Sequence, residues 1–359
     1  MFIPLARPDI QDCDIERVTE VLRSSQAWDG AGLRSGRLSQ GPAVEEFEQK
    51  FAEKVDHNFG IAVNSGTSGL FLSLLALGIG SGDEVITTPF TFISTVTSII
   101  MTGATPVFVD IDFQTFNIDP EKIEAAITDK TRAVLPVDVF GKTDGMGRIC
   151  AIAHKHGLPV IEDACEALGS SYAGIYGDLS VFGFYPNKQI TTGEGGMIVV
   201  DCPELVEECR RLRSHGGGVE LGYNFRMSDI NAALGVSQLD RLDEICAKRQ
   251  QIFRWYQNRL AGDTRIGLPV GRSDTCWFAY VIRTRNRDAV AEELQKEGIE
   301  TRVYFPAVHK IPWIEKRLGS FRLPKAEYAS NATLALPFHA TMTEDEVDYV
   351  CTKLGDALP

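Results

Sequence analysis

A lysine at position 188 stands between an apolar run, Leu179 to Tyr185, and a glycine-rich turn, Thr191-Thr192-Gly193-Glu194-Gly195-Gly196. The apolar run reads as a buried strand, and Met197 to Val200 reads as a second. A lysine held between packed strands either snorkels to water or acts as an amine. Burial lowers the pKa of an ammonium group, and the neutral amine is the nucleophile that condenses with an aldehyde. On this stretch alone, an ordinary loop lysine is as good a reading as a catalytic one.

Four other groups bear on that choice. Asn64-Ser65-Gly66-Thr67-Ser68-Gly69 follows a short strand and opens a helix. First-turn N–H groups, hydroxyls and the helix dipole would together make a cup for a phosphate. A serine-capped helix start explains the same wording. Glu162-Asp163 closes the strand that ends at Ile161. Ligand contacts in parallel sheets gather at the carboxyl ends of strands. A carboxylate there suits a pyridinium nitrogen, and lysine plus acid is the protein signature of pyridoxal phosphate (PLP). An N-cap or a structural ion pair suits a lone Asp equally. Phe92, in Thr88-Pro89-Phe90-Thr91-Phe92, is placed to stack on a ring or to fill a core. Asn224 and Arg226 lie in a polar segment, Tyr223 to Asp229, that either binds an anion or caps the next helix.

The elements that must position these residues alternate. Strands are expected at 61–63, 84–87, 106–110, 133–139 and 159–163, with helices at 68–77, 92–101, 120–127 and 145–156 between them. That order predicts an α/β domain over 55–240, a mostly parallel central sheet with helices on both faces. Residues 1–54 read as N-terminal helices and an arm, the arm being the Gly/Ser-rich stretch 25–40. Residues 241–359 read as a small C-terminal α+β domain: a long helix over 240–265, strands at 277–282 and 300–304, and a last helix from Thr343 with Glu346 at capping-box spacing.

Bulk properties narrow the function. The chain has 359 residues and a net charge of −13, with no long Lys/Arg run, which argues against nucleic acid or an acidic membrane as partner. No apolar run reaches membrane-spanning length. The eight cysteines are scattered without a CxxC pair, so no zinc or redox motif is expected, no metal site is expected, and a reducing cytoplasm is the simplest compartment.

Taken together, these motifs resemble the DegT/DnrJ/StrS-type family of PLP-dependent nucleotide-sugar aminotransferases. The match rests on Asn64 to Ser68, Val107 to Asp112, Glu162 to Gly169, Tyr185 to Gly196 and Gly222 to Asp229, in family order from Ile3 through Val303-Tyr304-Phe305-Pro306 and His309. The resemblance implies PLP fold type I, with PLP as cofactor. Lys188 becomes the internal-aldimine lysine and proton shuttle, and Asp163 the pyridinium partner. Glu166 falls near the cofactor hydroxyl, and Phe92 stacks on the ring. Gly66, Thr67 and Ser68 hold the phosphate, and Asn224 completes that site from a second subunit, which implies a homodimer with shared active sites. Arg226 and His309 become substrate candidates. The implied reaction moves an amino group from L-glutamate to a keto group of a dTDP-, UDP- or GDP-linked sugar, ping-pong.

Two departures stand out. Many members carry a serine five residues before the lysine, where this chain has Gly183; Ser180 is the candidate substitute. Glu166 replaces the family's usual Gln or His and, if ionised, would repel a phenolate oxygen. A dehydratase of the family would have His in place of Lys188. An aminocyclitol or aminobenzoate activity, or a non-catalytic PLP-binding regulator, are the remaining alternatives.

Overall fold

A computed structural model describes residues 1–24 and 41–359. The expected arm lies outside the described residues. Helix α1 spans Asp12–Arg23 and α2 spans Pro42–Lys54, the latter opened by proline at a first-turn position where its missing N–H costs nothing. Both helices pack on α7, Asp229–Asp240. Phe47 and Phe51 of α2 meet Phe182 and Phe184, so this helix braces the strand that leads to Lys188.

Strand β1 (Phe59–Val63) is followed by α3 (Gly66–Ala76), β2 (Glu84–Thr87), α4 (Ile93–Thr102), β3 (Thr105–Phe108), β4 (Thr131–Leu135), α5 (Met146–Lys155), β5 (Ile161–Asp163), β6 (Leu179–Gly183) and β7 (Gly196–Val200). One run of strands is ordered β1-β7-β6-β5 and another β3-β2-β4. Parallel bridges Val134↔Val160 and Val137↔Asp163 join β4 to β5, giving one sheet ordered β3-β2-β4-β5-β6-β7-β1. Only β7 runs against its neighbours. Strands β6 and β7 are buried throughout, which is why they read as unbroken apolar runs rather than alternating ones. Helix α3 is apolar on nearly every side because it lies between the sheet and α4 and α6 (Pro203–Arg213).

The chain then enters α8, Leu242–Leu260, one long amphipathic helix as its spacing requires. A three-stranded antiparallel sheet follows, ordered β10 (Thr333–Leu336), β9 (Tyr280–Thr284), β8 (Ile266–Gly267). With α9 (Arg287–Lys296) and α10 (Glu344–Ala357), it encloses a core that includes Tyr256, Trp277 and Tyr280. Thr343 and Glu346 form the expected capping box. Ile3 pairs with Ile299 and is buried in this core, so the first residues of the chain complete the C-terminal sheet's packing.

Two expectations are corrected, and one pairing is added. Residues 120–127 form two short 3-10 turns, not a helix. Residues 300–304 make a single antiparallel rung, Arg302 with Ala335, not a strand. After that rung the chain turns inward and places Phe305 among Phe90 and Phe140. Two of the eight scattered cysteines, Cys246 and Cys276, are joined as a disulfide across 30 residues. Sequence spacing held no sign of that pairing.

Candidate active site

The turn that carries Lys188 closes on itself. The Phe184 N–H donates to Gly195 O at 2.9 Å, the Thr192 N–H to Phe184 O at 3.0 Å, and the Lys188 N–H to Tyr185 O at 2.9 Å. A buried arginine of α8 ties this turn to the small domain. Arg249 donates to Lys188 O, Trp277 O and Phe278 O, each at 3.2 Å. Lys188 and Phe278 are thereby held together, and the lysine Nζ lies 4.4 Å from the Phe278 ring centroid. The same Nζ is 3.7 Å from Glu166 Oε1.

Asp163 ends β5. Its Oδ2 accepts from Thr95 Oγ1 at 2.8 Å, and Thr95 in turn meets Thr91 Oγ1 at 2.8 Å. Those hydroxyls come from α4 and the loop before it, so the start of α4 orients the carboxylate. Glu166 is buried, and its Oε2 accepts the Phe140 N–H at 2.9 Å. Burial pushes its carboxyl up to about 7, against the opposing pull of Lys188. Behind Asp163, Glu162 accepts the N–H groups of Gly174 and Gly177. Burial drives the carboxyls of both Glu162 and its neighbour Asp138 upward, toward their protonated forms.

At the other end of the site, Ser65 caps α3. Its Oγ accepts the Ser68 N–H at 3.1 Å and its carbonyl the Gly69 N–H at 3.1 Å. The remaining first-turn residues, Gly66 and Thr67, line a cavity of about 450 Å³, within the range of small-ligand sites. The cavity is also lined by Phe92, Asp163, Glu166, Gly183, Lys188 and Phe278. Glycine is required at its tightest points: a Cβ at Gly66 would come within 2.8 Å of Cys165 Sγ, and one at Gly196 within 2.7 Å of Gly66 N.

Gly66, Thr67, Phe92, Asp163, Glu166 and Lys188 are thus brought into one cavity. The other sequence candidates lie outside its wall. The Ser68 hydroxyl is spent on Asn64 Oδ1 at 2.7 Å. Ser180 is fully buried and donates to Gly174 O at 3.0 Å; it cannot stand in for the missing serine at 183, because its side chain is committed to the Glu162 loop. At Gly183 itself, the room a Cβ would need is bounded by Cys165 Cβ and Sγ at 3.4 Å. His309 is fully buried, packs beside Phe108 and meets Glu327 Oε1 at 3.2 Å, which makes it a core histidine. Arg226 bridges Val63 through its backbone, and its Nη1 is buried with no hydrogen-bond partner among the described residues. Asn224 is exposed and pairs through its backbone with Ser214. Sequence reasoning missed Ser65, Thr91, Ser94, Arg302 and Tyr304, all of which line the cavity. Only the neighbourhood of known motifs could have flagged them.

The family model for DegT/DnrJ/EryC1/StrS aminotransferases matches residues 15–355. The chain belongs to that family. It is a PLP-dependent sugar aminotransferase of fold type I. Spore coat polysaccharide biosynthesis protein SpsC of Bacillus subtilis is 40% identical over 99% of this chain and 97% of its own length. The structure of Helicobacter pylori PseC, an aminotransferase involved in the biosynthesis of pseudoaminic acid, superposes with a TM-score of 0.92 at 28% identity, covering 100% of this chain and 99% of PseC. NtdA of B. subtilis, solved with bound cofactor PMP, superposes with a TM-score of 0.90 at 31% identity, covering 99% of this chain and 85% of NtdA. The residues here fit such a group. An amine, a hydroxyl-oriented carboxylate and a helix start with first-turn N–H groups line one cavity, matching the aldehyde, ring nitrogen and phosphate of PLP.

Proposed function

We propose that this family member transfers an amino group from L-glutamate to a keto group of a nucleotide-linked sugar, in two half-reactions at one site. The observation that carries it is the convergence of Lys188, Asp163 and the start of α3 on a single cavity. Bound PLP supplies the carbonyl that takes up the amine and the ring that accepts electrons. Lys188, whose Nζ reaches into the cavity, would hold the aldehyde end of the group and would move a proton between the amino donor and the cofactor. Asp163, aimed by Thr95, would hold the ring nitrogen in its protonated form. Gly66 and Thr67 would hold the phosphate, and Phe92, on the same cavity wall, would offer an aromatic face to the ring. Glu166, whose burial raises its carboxyl to about 7, would in its protonated form be able to donate to the ring oxygen rather than repel it.

The site is shared between two copies of the chain, with Asn224 reaching the partner's phosphate. Supporting this, Asn224 is exposed and lies beside a loop whose Val219 and Leu221 are 86% and 79% exposed, apolar surface of the kind that interfaces cover. The names of SpsC and PseC support a product used in building surface saccharides.

Purified protein loaded with PLP should show a visible-edge absorption band, and L-glutamate should convert it to the band of the aminated cofactor. Lys188→Ala should keep cofactor yet lose the conversion. Wild-type protein silent to every amino donor would point to a cofactor-binding regulator instead. Mass analysis of dTDP-, UDP- and GDP-linked ketosugars incubated with the glutamate-treated enzyme then names the acceptor.

A further inference from the structure

The donor proposed above carries two carboxylates into an unwelcoming wall. The charged residues lining the cavity, among those described, are Asp163, Glu166, Glu194, Lys188 and Arg302. Three are acids, and Lys188 is committed to the cofactor aldehyde. That leaves one cation for an acidic donor.

Arg302 is placed for that role. Its backbone is held from both sides by Ala335, with N–H···O distances of 3.2 and 2.8 Å, so its Cα is fixed on the edge of β10. Its guanidinium lies 5.9 Å from the Tyr304 ring centroid. The Tyr304 hydroxyl accepts from Asn187 Nδ2 at 3.3 Å, and Asn187 directly precedes Lys188. One aromatic ring therefore separates the guanidinium from the lysine turn. No carboxylate among the described residues pairs with Arg302, although Glu292 and Glu300 share the open groove on its far side. Arg302 is exposed, whereas the Lys188 side chain is only 15% exposed. Arg302 therefore stands where the cavity that holds Lys188 opens toward solvent.

We propose that Arg302 binds the side-chain carboxylate of the amino donor and so selects an acidic amino acid. The planar guanidinium fork offers two parallel N–H donors to a carboxylate, which an ammonium cannot reproduce. This rests on glutamate being the donor.

The test uses the PLP-loaded full chain and follows the absorbance change of the first half-reaction in single turnovers. L-Glutamate is compared with L-norvaline, which has the same carbon chain without the second carboxylate. In Arg302→Gln, kcat/KM for glutamate should fall roughly 10- to 100-fold, as expected for loss of a charged hydrogen-bonded pair. Norvaline should react as in the wild type, the cofactor band should be unchanged, and Arg302→Lys should recover only part of the loss. Glutarate should compete with glutamate in the wild type and lose that competition in Arg302→Gln. Equal losses for both amino acids, no loss for glutamate, or loss of the cofactor band would each overturn the assignment. A wild-type protein that ignores glutamate overturns the donor reading itself, an outcome visible before any variant is made.

Discussion

At the scale of single residues, Glu166 makes the sharpest demand. Its carboxyl rises from the ordinary 4.5 to about 7 because burial outweighs the attraction of Lys188. The folded state therefore binds this proton more tightly than the unfolded chain. Its contribution is fully present below about pH 4.5 and is lost as pH climbs to about 7, a change of roughly 3 kcal/mol. Glu166→Gln cannot titrate, so urea unfolding of the cofactor-free proteins should show the variant gaining on wild type by about that amount between pH 4.5 and pH 8. The same gap at both pH values would dispose of this account. Lys188 and Asp163 could be picked out by type, as ionisable groups beside apolar runs, whereas Glu166 came only with the family resemblance. Ser180 and His309 misled because hydroxyls and imidazoles also satisfy buried carbonyls and carboxylates, and linear spacing does not say which.

At the scale of elements, α2 matters more than its distance from Lys188 in sequence implies. Its Glu48 Oε1 accepts from Ala62 N and from Arg213 Nη1, both at 2.7 Å, and Arg213 also donates to Ala62 O at 2.8 Å. One buried carboxylate thus locks α2, β1 and α6 together just before the start of α3. Removing a single partner of a buried pair leaves the other charge uncompensated. Glu48→Ala should cost roughly 3–5 kcal/mol in urea unfolding, and adding Arg213→Met should restore much of it. A single variant as stable as wild type would mean the lock contributes nothing. The long helix α8 and the strands β6 and β7 were readable from spacing and apolar runs. The 300–304 segment was not, because its alternation fits a strand while its aromatic residues are drawn inward after one rung.

At the scale of the whole molecule, the shared-site reading predicts complementation. Lys188→Ala and Asn224→Ala should each be inactive as pure dimers. Unfolded together and refolded, they should regain about a quarter of wild-type activity, since half the dimers are mixed and each has one intact site. Activity that stays at the level of the pure variants would exclude a site built from both copies.

The sequence by itself determined the alternation of strands and helices, the lysine turn, the phosphate-cup wording and the acid at the end of β5. Each is written in neighbouring residues, where hydrophobic period and glycine placement act locally. Only the tertiary structure decided that Thr95 orients Asp163, that Arg249 carries Lys188 and Phe278 together, that Cys246 meets Cys276, and that Arg302 stands at the rim. Those pairings join residues far apart in the chain. They exist only once the sheet and the small domain have packed, and short-range periodicity carries no record of which distant side chains that packing will bring within a few ångströms.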